Sequence, residues 1–397
     1  MRVALIDPSL FTLPYDRGLA RGLAAAGHHV VLHGRRPGAN DGACTDIELV
    51  PSFYRVAGAR PVAALPGPFR LAVKGLDHAY SLARLRRRLR AERPDVIHFQ
   101  WLPLPAVDRH LLDGFRGVAP LVLTVHDTDP FNGDPTAAVQ RLGFSASLKA
   151  FDRLIVHTEQ GRERLRARGL SPERIAVVPH GMTARPPPPR LAAGTDGPLT
   201  FLLFGKIKPY KGADILIEAF ASLPEKLRTQ ARLRIIGKPY MDIEPLRVLA
   251  RERGVSDRVM LEPRFVPDGE MDRLFAPDTV VVFPYREIEA SGVLSQAIEN
   301  GRPVVASRIG SFEAVIRDGV DGHLVPPDNV PALAGALAHF LEDRSFAAAC
   351  VANVHDLAAN GSGLVGGVIP WDEVGRRTAE LYQELGRDRA WIARTER

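Results

Sequence analysis

FGKIKPYKG, Phe204–Gly212, packs three lysines and two glycines into nine positions directly after an apolar run. The order is wrong for a nucleoside triphosphate loop. Such a loop puts four residues between its glycines and then needs Gly-Lys-Ser/Thr opening a helix, whereas here Gly205-Lys206 comes first and Lys211-Gly212 last. An isolated run of this kind is equally a solvated basic turn, so its surroundings decide. An aliphatic strand pattern, Phe201–Phe204, precedes it, and GADILIEAF follows with helical spacing. The stretch is therefore a strand-to-helix loop, and Lys206, Lys211 and the helix start behind Gly212 can converge on an anion, with Lys208 between them assigned to solvent.

Working outward, short aliphatic runs alternate with longer helical patterns through most of the 397 residues. That is the signature of parallel sheets with crossover helices. Strands are expected near Val3–Ile6, His29–Leu32, Val96–Phe99, Leu121–Val125, Leu154–Val156 and Ile175–Val178, then near Phe201–Phe204, Leu233–Ile236, Val259–Leu261, Val280–Phe283 and Val304–Ala306. Between the two series lies MTARPPPPRLAAGTDGP, residues 182–198, whose proline run cannot hold a helix and favours an extended connector. The expected organisation is a first domain over 1–181, a linker over 182–198, a second domain over 199–368 and a terminal helix over 369–397. The expected fold class is α/β, two doubly wound Rossmann-like domains facing a central cleft. Ligands in such sheets bind beyond the carboxyl ends of the strands.

Composition narrows the partners. The chain is 45% hydrophobic and 25% charged, ordinary values for a soluble globular protein. A formal net charge of +6 points to an anionic partner. Cys44 and Cys350 stand far apart and in no metal-ligand spacing, which argues against a disulfide framework or a zinc site. MRVALIDPS reads as a first strand rather than a signal peptide, and no segment approaches the roughly 20 apolar residues that span a bilayer. A cytoplasmic protein is expected. Membrane contact, at the inner face, would be peripheral and would run through Phe69–Arg90, where apolar positions at helical spacing meet five arginines between Arg84 and Arg90. A surface helix with a solvated basic face is the plainer alternative.

Two further constellations follow strands. PYREIEASGVLSQAIENGRPVVAS, Pro284–Ser307, carries Glu287 and Glu289 in its loop, and Ser291-Gly292 opens a helix whose free amides suit a phosphate. Carboxylates there suit sugar hydroxyls better than phosphate. TVHDTDP, Thr124–Pro130, puts His126 directly after a first-domain strand, and His98, His157 and His180 also end strands. They offer no metal-binding spacing and read as hydrogen-bonding groups.

At these residues the chain resembles the retaining GT-B glycosyltransferases of family 4, and the likeness covers nearly its whole length. The family's Gly-Arg/Lys and Lys-Gly pair is met by Gly205-Lys206-Ile207 and Lys211-Gly212, its Thr-Val-His-Asp by Thr124–Asp127, its Pro-His-Gly by Pro179–Gly181, and its Gly-Lys/Arg-Pro-Val-Val-Ala by Gly301–Ala306. The resemblance implies that Gly205, Lys206 and Lys211 hold the diphosphate of a nucleotide sugar and that His126 contacts the transferred sugar. It implies that Gly292 and Val293 present the amides that meet the distal phosphate, with Ser291 and Leu294 beside them in the donor site, and that the base lies against Gly237 and Arg264, Phe265 and Val266. The terminal helix, whose pattern runs over Trp371–Leu385, is expected to cross back to the first domain.

Two departures stand out. The family's Glu, seven residues, Glu pattern falls here on Ile288 and Gln296, with Glu287 and Glu289 flanking the first position. Either glutamate could contact the donor sugar, and Gln296 could still hydrogen-bond a ribose through its amide. The loop PSLFTLPYDRG, Pro8–Gly18, replaces the glycine-rich loop of many relatives and offers Tyr15 and Asp16 as acceptor contacts. The implied activity is hexosyl transfer from a nucleotide-diphosphate sugar to an acceptor hydroxyl on a glycan, a lipid-linked saccharide or another glycoconjugate, with no cofactor, metal or nucleic acid. A nucleotide-sugar epimerase or phosphorylase on the same architecture and a non-catalytic nucleotide-sugar-binding protein are the alternatives. A dinucleotide-dependent dehydrogenase fits less well, since no Gly-x-Gly-x-x-Gly follows the first strand of either half.

Overall fold

The aliphatic runs become the strands of two all-parallel sheets. The computed structural model describes residues 1–38, 41, 44–57, 62, 66–129, 141–183, 197–360 and 368–395. The chain divides into two units: the first takes the described residues up to Gly181 and resumes at Pro370, and the second runs within Met182–Ile369. Most of the proline-rich linker and the Gly361–Gly367 stretch lie outside the described residues.

In the first unit β1 (Arg2–Asp7), β2 (His29–Arg35), β3 (Glu48–Phe53), β4 (Val96–Phe99), β5 (Leu121–Thr124), β6 (Arg153–Val156) and β7 (Ile175–Val177) form a sheet in the order β3-β2-β1-β4-β5-β6-β7. Every pairing is parallel. β4 and β5 are buried at every position, as strands covered on both faces must be. β3 was not expected from the sequence. Its Pro51 cannot donate to a ladder, which demotes such a run, and β3 indeed takes the edge of the sheet.

The short strand β8 (His180–Met182) ends the first passage of the chain. The second unit then builds β9 (Leu199–Phe204), β10 (Ala231–Ile236), β11 (Val259–Glu262), β12 (Thr279–Phe283), β13 (Val304–Ser307) and β14 (Gly322–Val325), in the order β11-β10-β9-β12-β13-β14. These pairings are parallel as well. β14 is another edge strand that the sequence reading missed, four residues long and polar at His323. In both sheets the strand order reverses once, between β1 and β4 and between β9 and β12, and ligand crevices form at such switch points.

The last helix, Trp371–Thr395, is longer than the expected Trp371–Leu385 and packs in the first unit against the helix Leu13–Ala25. Close approach is made possible by glycine. A Cβ on Gly22 would lie 2.0 Å from the Trp371 carbonyl oxygen, and one on Gly18 would lie 2.1 Å from its indole. Farther along, the Tyr382 hydroxyl meets His98 Nδ1 at 2.6 Å.

Candidate functional site

The second unit brings FGKIKPYKG and PYREIEASG together at its switch point, since the first follows β9 and the second follows β12. Glycine geometry sets the junction. Gly205 has φ +105°, and a Cβ there would sit 3.0 Å from Lys211 Nζ and 3.2 Å from a Val293 methyl. Gly237, after β10, approaches so closely that a Cβ would meet the Gly205 carbonyl oxygen at 1.8 Å. The Gly205 backbone, the Lys211 ammonium and the start of the helix Gly292–Glu299 therefore converge on one small volume.

Two clamps hold the loops. Gly212 adopts φ +66°, and a side chain there would strike the Pro284 carbonyl at 2.0 Å. Arg286 donates from its backbone to the Tyr210 carbonyl at 2.7 Å, and from its guanidinium to the Pro209 carbonyl at 2.8 Å and to Asp214 at 2.7 and 3.1 Å. Such bidentate arginine geometry fixes direction as well as distance. Tyr285 and Arg286 were not singled out from the sequence, although they stand beside the glutamates that were.

Lys211 is buried, with Nζ 5.0 Å above the Tyr285 ring. Burial first, then the neighbouring charges of Lys206 and Lys208, push its pKa down to about 7. Lys206 and Lys208 both approach the Tyr240 ring, at 5.7 and 5.5 Å, and so does Lys238 at 5.7 Å. The sequence reading assigned Lys208 to solvent. That is corrected: it is half-buried against Tyr240 and lines a cavity of about 620 Å³ with Asp214, Met241, Leu249 and Arg286.

The helix Gly292–Glu299 starts cleanly. Ser291 Oγ accepts the Leu294 amide at 3.3 Å, so the amides of Gly292 and Val293 precede the capped one. Those first N–H groups carry the positive end of the helix dipole. Of the two glutamates, Glu289 is buried and Glu287 is exposed. The burial has a remote cause: a Cβ on Gly310 would lie 2.2 Å from the Ile288 carbonyl, and the Ser311 amide donates to the Glu289 carbonyl at 3.0 Å. Gln296 lies half-buried one turn into the helix. Arg264 is tied to Glu270 at 2.8 Å and Glu262 at 3.2 Å, Phe265 is exposed and Val266 is buried.

The first unit gathers its histidines. His157 Nδ1 meets the Val178 carbonyl at 3.0 Å and can only donate to it, so His157 Nε2 accepts from His126 Nδ1 at 3.1 Å. His126 Nε2 then has no proton and faces the Gln100 side-chain oxygen at 3.3 Å. Exchanging the Gln100 amide oxygen and nitrogen turns this contact into a donation and also satisfies the buried Gln100 nitrogen. Burial holds His126 well below the usual imidazole range, with the charges of His157 and His180 adding to it, and His157 falls to about 3. Both are neutral hydrogen-bonding groups at physiological pH.

Tyr15 and Asp16 are corrected as acceptor contacts, because both side chains are buried. The Tyr15 ring packs against His126, His157, His180 and Trp371 at 4.6 to 5.3 Å. Thr12 Oγ1 lies 3.2 Å from Asp7 and 3.1 Å from Asp16. A hydroxyl has one proton, so both contacts are satisfied when Asp16 is protonated and donates to Thr12, which donates to Asp7. Burial and then the Asp7 charge raise the Asp16 pKa well above the carboxylate range, in agreement. What the loop exposes instead is Phe11, stacked on Trp101 at 4.7 Å. Among the described residues, no cluster of three or more His, Cys, Asp or Glu is placed to hold a metal ion.

Comparison with known proteins places this geometry. The "Glycosyltransferase Family 4" family matches residues 17–184, and "Glycosyl transferases group 1" matches residues 193–356. Curated relatives include D-inositol 3-phosphate glycosyltransferases of Kribbella flavida, 31% identical over 75% of this chain and 74% of that protein, and of Xylanimonas cellulosilytica, 28% identical over 94% and 92%. A third, from Acidothermus cellulolyticus, is 31% identical over 62% of this chain, which spans only 60% of that relative's length. Among solved structures, sucrose-phosphate synthase of Thermosynechococcus elongatus superposes with TM-score 0.73 at 21% identity, covering 97% of this chain and 99% of that one. Anabaena HepE in complex with UDP-glucose superposes with TM-score 0.72 at 17% identity, covering 97% and 100%. The fold class is GT-B, and the chain belongs to glycosyltransferase family 4.

Proposed function

We propose that the protein transfers a sugar from a nucleotide-diphosphate donor to an acceptor hydroxyl. The observation that carries this reading is the convergence of Gly205, Lys211 and Val293 at the switch point of the second sheet. Lys206, Lys211 and the amides of Gly292 and Val293 would take the diphosphate, stabilising the charge that develops as it departs. Glu289, the buried carboxylate, would accept from the donor sugar, and neutral His126 would accept at Nε2 from a sugar hydroxyl near the reacting carbon, exchanging its contact with Gln100 for it. These groups supply the charge stabilisation without a protein-held metal or a dedicated nucleophile. Retention of anomeric configuration is taken from the family. The relatives' names supply a phosphorylated cyclitol as one candidate acceptor, and the +6 charge of the chain suits an anionic one.

Calorimetric titration of UDP-, GDP-, ADP- and dTDP-sugars tests the donor site. A charge-assisted hydrogen bond is worth about 1.5–3 kcal/mol, so Lys211→Ala is expected to weaken the binding donor by about 10- to 150-fold. Equal affinity in the variant would remove the diphosphate assignment. Release of nucleotide on adding D-inositol 3-phosphate or a lipid-linked saccharide, in the presence of a chelator, tests transfer; NMR of the product reads its anomeric configuration.

A further inference from the structure

The helix Gly67–Glu92 in the first unit carries an apolar face with no covering element among the described residues. Phe69, Leu76 and Tyr80 are exposed by 67%, 74% and 66%. Their spacing, seven and then four residues, keeps them within about 40° of one another around the helix. Val56, 56% exposed, is held beside this helix, its amide donating to Asp77 at 2.9 Å. Exposed aromatic and aliphatic groups gathered this way mark an interaction surface.

Charge identifies the kind of partner. The helix holds Arg70, Lys74, Arg84, Arg86, Arg87, Arg88 and Arg90 against only Asp77 and Glu92. Neither carboxylate offsets the basic face, because Asp77 is buried under the amides of Val56 and Ala57 and Glu92 pairs with Arg88. Arg84 and Arg87 continue the stripe of Phe69, Leu76 and Tyr80 toward the carboxyl end and are exposed. Apolar side chains that can enter an acyl boundary, followed on the same face by arginines that can stay among headgroups, form an interfacial helix. A second copy of the chain fits poorly, since a twofold interface sets this cationic face against itself.

We propose that the Phe69–Arg87 face of this helix docks the protein on an anionic bilayer surface, with Phe69, Leu76 and Tyr80 inserted at the interface and Arg84 and Arg87 on the headgroups. The test is co-sedimentation of the full chain with phosphatidylcholine vesicles with and without phosphatidylglycerol, at low and high salt. Wild type is expected to bind the anionic vesicles, to release at high salt, and to bind phosphatidylcholine weakly. Leu76→Glu with Tyr80→Glu, and separately Arg84→Glu with Arg87→Glu, are each expected to reduce binding at least about 10-fold. All four positions are exposed, so circular dichroism is expected to match wild type. Vesicle binding that ignores lipid charge, that survives both double variants, or that is absent in wild type overturns the proposal. So does a dimer that Leu76→Glu dissociates while vesicles leave the protein in solution. The measurement uses neither donor nor acceptor and is independent of the transfer reading.

Discussion

If Lys211 holds the donor diphosphate as proposed, donor binding becomes a proton-linked event. In the free protein its pKa lies at about 7, because burial and the charges of Lys206 and Lys208 disfavour the ammonium. A diphosphate beside it favours the ammonium and restores the pKa toward the ordinary lysine value of about 10.4. Binding therefore takes up a proton wherever the free site is neutral. Below pH 7 the site is already charged and affinity is flat; above it, affinity falls by up to tenfold per pH unit. With the site half-charged at pH 7, the fall between pH 7 and pH 9 amounts to about 50-fold, or about 2.3 kcal/mol at 1.36 kcal/mol per decade. UDP-glucose is the ligand to use if it is the donor that binds, since its diphosphate has no titrating terminal group. Titration calorimetry in buffers of different ionisation enthalpy should show uptake of up to one proton at pH 8. Lys211→Met should bind weakly with no such uptake. Without ligand the sign reverses: the unfolded lysine holds a proton that the folded one lacks between pH 7 and about 10.4, so wild-type stability relative to Lys211→Met should rise over that window. Affinity that is level from pH 6.5 to pH 9, with no proton uptake, would refute the reasoning.

Three other outcomes are expected. Glu289→Gln should lower the rate of transfer at least about 10-fold while Glu287→Gln changes it less than about 2-fold, since only Glu289 is buried ahead of the helix Gly292–Glu299; initial rates at saturating donor decide between them. Gly212→Ala should cost at least about 2 kcal/mol, or about 4–8 °C in Tm, and weaken donor binding, because it combines φ +66° with a Cβ 2.0 Å from the Pro284 carbonyl. Gly254→Ala shares that φ but has no neighbour within 4 Å, so the difference between the two melting curves isolates the loop contact. The pH profile of kcat/KM should show no imidazole inflection near 6.5 from His126 or His157, and folding stability should fall as pH drops below 6.5, where the unfolded histidines gain protons that the buried ones refuse.

The two sheets were legible because central strands are continuous aliphatic runs, and the lysine loop was legible because it follows such a run. Features set by residues distant in sequence were not. Glu287 and Glu289 look alike in the chain, and Gly310 and Ser311 decide which one is enclosed. Lys208 reads as a surface charge until Tyr240, beyond the next strand, comes under it. Tyr15 and Asp16 look available in a loop sequence, but histidines from three later strand ends and Trp371 close over Tyr15. The edge strands β3 and β14 were missed for a local reason: an edge needs neither a long apolar run nor a donor at every position.

The terminal helix also fixes an order of events during synthesis. Gly18, Gly22 and Gly181 shape a groove for Trp371, and His98 waits for Tyr382, yet all of β9 to β14 is made before either partner emerges. Of the two units, the one begun earlier is thus the later to be finished, because its packing is completed only once the helix Trp371–Thr395 has been made. A premature stop just before Trp371 would keep the core of the second unit, the helices Val330–Glu342 and Arg344–Asn360 included, in a protein whose amino-terminal unit has an open seam, with the helix Leu13–Ala25 presenting bare glycines where Trp371 belongs. Such a product would keep a folded second unit and still be marked for degradation by the apolar surface it fails to close.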